Sequence, residues 1–169
     1  MKTLIRILAT AILALCTVAL RPSAAQEPAP SPDGEPQMSM MDSLLTYAKT
    51  FIGTPYKWAG NGPRNFDCSG YVKYVYNHFG YNLPRTSTAM STAFPRVESF
   101  SDLRPGDLIF FGERNNIRKV GHVAILLELD EEHGSFYFIH ASAGNGVEIQ
   151  RFTHPYFMMR YIGAGRVIE

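Results

Sequence analysis

Cys68 lies in the stretch Asn65-Phe66-Asp67-Cys68-Ser69-Gly70, with an acid before it and a hydroxyl after it. A thiol serves as a nucleophile when a nearby imidazole takes its proton and a third polar group fixes that imidazole's orientation. Of the five histidines, His122 opens the apolar run HVAILLEL and His140 lies near the end of FYFIHAS. The intervening LDEEHGS reads as a hairpin loop, so the two runs are predicted to pair antiparallel. Folding about a loop midpoint near residue 132 sets the two histidines almost opposite each other. The spacing offers Cys68 as nucleophile, His122 as general base and His140 as its orienter. His78 falls late in a predicted helix, His133 in the hairpin loop and His154 before a proline, and none has such a setting. Plainer readings stand beside this one: a small, partly buried cysteine is commonly inert, and a histidine that begins a strand is commonly an ordinary polar residue.

The nucleophile needs a rigid mount. Asp67 is a good helix N-cap, and Val72, Val75, Tyr76 and Phe79 give the following segment an apolar face that ends at Gly80. Cys68 therefore sits in a first helical turn, where free backbone N–H groups and the helix dipole favour a thiolate. Asp67 acts in the other direction, since a neighbouring carboxylate raises a thiol's pKa. Its charge is either a cap or a contact for a cationic substrate group, and the two are compatible. An earlier helix is predicted from Met41, Leu44, Leu45, Ala48 and Phe51-Ile52, stopped by Gly53 and Pro55. The Gly/Pro-punctuated loop GTPYKWAGNGPRNF joins the two helices. After LPRTST come five short β-rich runs at 107–111, 122–129, 135–142, 146–152 and 160–168. The fold class is α+β, with N-terminal helices packed on one side of an antiparallel β-sheet.

The chain has 169 residues, 46% hydrophobic and 18% charged, which suits a globular domain. Residues 1–25 read as a signal peptide: a basic start, an apolar run from Ile7 to Leu20, and Ser23 and Ala25 as small residues for cleavage. That run is shorter than the ~20 residues a membrane span needs, so no stable span is expected in the mature chain. Cys16 follows Leu15 inside the run, a poor match to a lipid-anchor site. Without the signal Cys68 is the lone cysteine, and it has no internal disulfide partner. Removing Lys2, Arg6 and Arg21 from the 16 basic residues leaves 13 against 15 acidic ones. With no basic stripe, nucleic acid is not an expected partner. Residues 26–37, QEPAPSPDGEPQ, form a Pro-rich linker, and 38–169 the catalytic domain. The expected location is exported, in the periplasm or cell envelope. A monomer without metal or cofactor is expected.

The segments GTPYKWAG, NFDCSGYV, LPRTS, LRPGDLIFF, GHVAILL and FIHAS, with the closing RYIGAGRVI, resemble the NlpC/P60 cysteine peptidases. The resemblance runs from about residue 41 to 168. It implies a papain-like fold and hydrolysis of amide bonds in peptidoglycan stem peptides, with the Cys-His-polar triad on Cys68, His122 and His140. It also implies substrate-binding roles for Tyr56, near the thiol; for Asp67 and Ser69, toward a free amine; and for Arg85, toward a substrate carboxylate. Trp58 is expected to be packing. The sequence departs from the pattern at Ala59-Gly60, where a glycine pair is usual, and at Met90, where glutamine is frequent. No SH3-like domain is expected before the catalytic one, so a more open groove for intact or crosslinked peptides is expected. The scissile bond is expected to be γ-D-Glu to the diamino acid, or a crosslink involving that diamino acid. Competing readings are a non-catalytic wall-binding module and a papain-like amidase or acyltransferase on another substrate.

Overall fold

The computed structural model describes residues 38–169; the expected signal peptide, linker and Cys16 lie outside them. Helix α1 (Met40–Lys49) starts at a capping box. The Ser39 hydroxyl accepts the Asp42 N–H at 3.0 Å, and the Asp42 carboxylate accepts the Ser39 N–H at 3.3 Å. Its apolar stripe buries Leu44, Leu45 and Ala48. The regular helix ends at Lys49, three residues before the expected Ile52, because Thr50 turns back onto Tyr47 and Gly53 adopts a φ of 86°.

Helix α2 (Cys68–His78) presents Tyr71, Val72, Val75 and Tyr76 to the core. Tyr71 Oη donates to the buried Ala48 carbonyl at 2.9 Å, tying α2 to α1. Helix α3 (Ser87–Ala93) was not anticipated, since STAMSTA lacks apolar periodicity and four of its seven residues are Ser or Thr. Thr86 caps it by accepting the Ala89 N–H at 3.2 Å, and Met90 packs it into the core. Thr88 Oγ1 donates to the Val120 carbonyl at 2.9 Å, fastening α3 to the start of the strand that carries His122.

The strands are β1 (Arg96–Val97), β2 (Leu108–Gly112), β3 (Val120–Asp130), β4 (Ser135–Ser142), β5 (Gly146–Arg151) and β6 (Tyr161–Gly165), with a single-turn helix α4 (Pro155–Met158) before β6. They form one antiparallel sheet in the order β1-β6-β2-β3-β4-β5. Alternate residues divide between its two faces. Leu108, Phe110, Val123, Ile125, Ile139 and Ala141 meet the helices; Ile109, Phe111, Ala124, Leu126, Phe136 and Phe138 meet an aromatic layer of Phe152, Phe157 and Tyr161. Burial on both faces explains why β2 and β4 read as continuous apolar runs rather than alternating ones.

The mixed helix and antiparallel-sheet architecture is the one expected. A shared core fixes α2 against β3 and β4, and so sets the thiol-bearing helix start beside the strands that bear the histidines.

Candidate active site

Cys68 is the first residue of α2, and the Asp67 carboxylate caps it by accepting the Gly70 N–H at 2.7 Å. This start sits tightly against the preceding loop: a methyl group at Gly70 would lie 2.0 Å from the Gly60 carbonyl oxygen. That close approach explains why glycine is needed two residues after the thiol. The backbone N–H of Val123, the residue after His122, favours the Cys68 thiolate, as do those of Ser69 and Cys68 itself. Burial outweighs them and, with the Asp67 charge adding to it, pushes the thiol's pKa up from its ordinary value. Burial thus works against the thiolate that a first-turn position alone suggested.

His122 and His140 meet with Nε2 and Nδ1 2.8 Å apart and their rings nearly perpendicular. The hairpin ladder pairs Ile125 with Ile139. By that register His140 belongs opposite residue 124, so the two rings meet diagonally rather than face to face. A bulge helps aim His122. Phe111 pairs with His122 but Gly112 with Val120, which leaves Gly121 as an extra residue immediately before the histidine. Phe111, Phe138 and Phe157 wall the two rings. Burial lowers the His140 pKa to about 4. Burial and the neighbouring His140 lower His122 to about 3, so both rings are neutral at pH 7.

A cleft of about 440 Å³ brings Tyr56, Asp67, Cys68, Ser69, Arg85 and His122 to a common wall. A second cleft of about 400 Å³ begins at His122 and continues past His140, bordered by Glu113, Arg114 and Glu148. Tyr56 borders both. Burial, then the nearby Cys68 and Asp67, push its phenol pKa up from the ordinary value.

Asp67, Ser69 and Arg85 form one interlocked group. Arg85 donates to Asp67 Oδ2 at 2.6 Å, to Asp67 Oδ1 and Ser69 Oγ at 3.0 Å, and to the Gly60 carbonyl at 3.3 Å. Ser69 Oγ in turn donates to Asp67 Oδ1 at 3.3 Å. Both carboxylate oxygens are thus engaged by protein donors, and the guanidinium faces inward to its own carboxylate.

Trp58 corrects an expectation: it is 84% exposed at the rim of the thiol's cleft, not packed. The next residue, Ala59, holds a left-handed φ of 59°. Met90 is fully buried, so apolar packing occupies the position where a glutamine was the usual residue. Sequence reading passed over Glu148, which pairs with His140 across β4 and β5. The same folding arithmetic about the turn near Gly144 would have found it. Among the described residues no cluster could hold a metal ion, and no helix is long and apolar enough to cross a membrane.

The family profile described as NlpC/P60 matches residues 53–166. The chain is 35% identical over 128 residues to the gamma-D-glutamyl-L-lysine dipeptidyl-peptidase of Bacillus cereus, covering 75% of this chain and 36% of that protein. It is 36% identical over 124 residues to the probable endopeptidase p60 of Listeria seeligeri, covering 73% of this chain and 22% of that one. The chain thus spans less than half the length of these curated relatives. Among solved structures, an NlpC/P60 family protein from Bacillus cereus superposes with a TM-score of 0.69 at 34% identity, covering 79% of this chain and 42% of its own. The NlpC/P60 domain of the peptidoglycan hydrolase SagA superposes with a TM-score of 0.61 at 28% identity, covering 76% of this chain and 99% of that domain. With a helix-borne cysteine, two paired histidines and a profile match over most of its length, this chain belongs to the NlpC/P60 family.

Proposed function

We propose that this chain is an exported cysteine endopeptidase that hydrolyses amide bonds in peptidoglycan stem peptides. The observation that carries the proposal is the 2.8 Å contact between His122 Nε2 and His140 Nδ1, at a cleft that His122 shares with Cys68. In acylation His122 takes the thiol proton as the sulfur attacks the peptide carbonyl. It then gives that proton to the leaving nitrogen as the C–N bond breaks, and water releases the acyl-enzyme. The Cys68 backbone N–H contributes to stabilising the oxyanion.

Two clefts meeting at His122 suit an endopeptidase, which must hold peptide on both sides of the scissile bond. Because His122 protonates the leaving amine, the cleft past His140 takes the leaving half and the one around Cys68 the acyl half. Tyr56 is assigned to the acyl half beside the nucleophile. The Asp67–Arg85 pair shapes that cleft from within, and a substrate amine that meets Asp67 must first displace the guanidinium. The bond is γ-D-Glu to the diamino acid, or a crosslink involving that diamino acid.

Digestion of defined muropeptides with product masses tests this reading. Products cut at either bond support it. Binding without cleavage points to a wall-binding module, and cleavage or transfer only on unrelated amides or esters points to another papain-like chemistry.

A further inference from the structure

His140 Nε2 is buried without a hydrogen-bond partner, on a side chain that is 2% exposed. The atom it faces is Glu148 Oε1, 3.6 Å away. Glu148 stands directly across from His140 in the β4–β5 ladder, so the strand register itself presents the carboxylate to the ring. Its other oxygen accepts from Asn145 Nδ2 at 2.8 Å, which anchors the side chain from the adjoining turn. Closing the gap to a normal hydrogen bond needs a shift of about 0.8 Å.

A neutral imidazole has one N–H and one lone pair. The short contact between the two rings therefore has one donor and one acceptor, in either of two arrangements. In the first, His122 Nε2–H donates to His140 Nδ1. The His140 proton is then on Nε2, facing Glu148, and His122 Nδ1 keeps a lone pair with which to take the thiol proton. In the second, His140 Nδ1–H donates to His122 Nε2. That turns a His140 lone pair toward a carboxylate and leaves His122 Nδ1 already protonated, with no basic nitrogen for Cys68. We infer that Glu148 is a positioning residue that selects the base-competent tautomer of His122 by acting through His140.

The inference rests on the peptidase reading for its catalytic consequence but not for its geometry. The test is nitrogen-15 NMR of histidine-labelled protein at pH 7, together with steady-state cleavage of a muropeptide, for the parent and Glu148→Leu. The parent is expected to show Nε2–H on both His122 and His140. Glu148→Leu is expected to show the second tautomer on both rings and a kcat loss of about tenfold or more, with KM within about twofold, short of the ~10⁴-fold cost of a triad locked in the wrong tautomer. The partly exposed Glu148 side chain makes unfolding of this variant unexpected. If it does unfold, the parent spectrum alone decides. A His140 carrying Nδ1–H in the parent overturns the inference, as does a Glu148→Leu protein with unchanged tautomers or unchanged kcat. The tautomer measurement uses no substrate, so its failure is distinct from failure of the peptidase reading.

Discussion

Replacing Arg85 with alanine tests whether Asp67, the acid beside Cys68, is an internal brace. The guanidinium makes three hydrogen bonds to Asp67 and Ser69 and one to the Gly60 carbonyl. The Asp67 side chain is 11% exposed, so removing Arg85 strands a buried charge with only the Gly70 N–H and the Ser69 hydroxyl. Breaking a fully buried pair costs about 3–5 kcal/mol; with the Arg85 side chain 37% exposed, about 2–3 kcal/mol is the reasonable expectation here. For a folded unit of about 130 residues that lowers Tm by about 8 °C. The unneutralised carboxylate also pushes the Cys68 thiol pKa further up, so alkylation at pH 7 slows. Arg85→Lys keeps the charge but loses the two-pronged geometry, and should recover only part of both losses. Thermal melts and the pH dependence of iodoacetamide labelling read these effects. A Tm within about 1 °C of the parent, with an unchanged labelling profile, would refute the reasoning and leave Asp67 a solvated carboxylate free to meet substrate.

Ala59→Gly should stabilise the protein, because a left-handed alanine costs about 1–2 kcal/mol and glycine's extra unfolded-state entropy returns about 0.5–1. A net gain of about 0.5–1 kcal/mol in urea unfolding is expected, and a loss would contradict it. With His122 held neutral to about pH 3 and His140 to about pH 4, the acid limb of kcat/KM should lie below pH 5 rather than near 6.5. The same two rings stabilise the fold fully above the unfolded-state value near 6.5. That contribution is lost as pH falls toward the folded values, because the unfolded chain binds the protons first. The urea midpoint should accordingly drop between pH 6.5 and 4.5, and a flat midpoint there would contradict the burial argument.

The parts of the site borne on strongly patterned elements were legible in the sequence. Asp67 announced a helix start, and the loop between two apolar runs placed His122 near His140. The diagonal contact was not legible, because it depends on the register shift between Leu126 and Glu128 in the β3–β4 ladder, which sets His140 opposite residue 124. Helix α3 escaped because STAMSTA has no apolar periodicity and more than half of it is Ser and Thr, and its cap and the burial of Met90 hold it. The exposure of Trp58 was not legible either, and neither was the left-handed backbone of the adjoining Ala59, which composition does not reveal. The role of Arg85 was hidden for another reason: a lone arginine in LPRTS carries no sign of the carboxylate it will meet 18 positions away.

The central claim is that Cys68 is the nucleophile of a cell-wall peptidase. Purified peptidoglycan incubated with the parent and with Cys68→Ala, the released peptides quantified by mass spectrometry, tests it most directly. The account predicts release by the parent and none above background from Cys68→Ala, with melting curves that show both proteins folded. Release by folded Cys68→Ala at the parent's rate would contradict it.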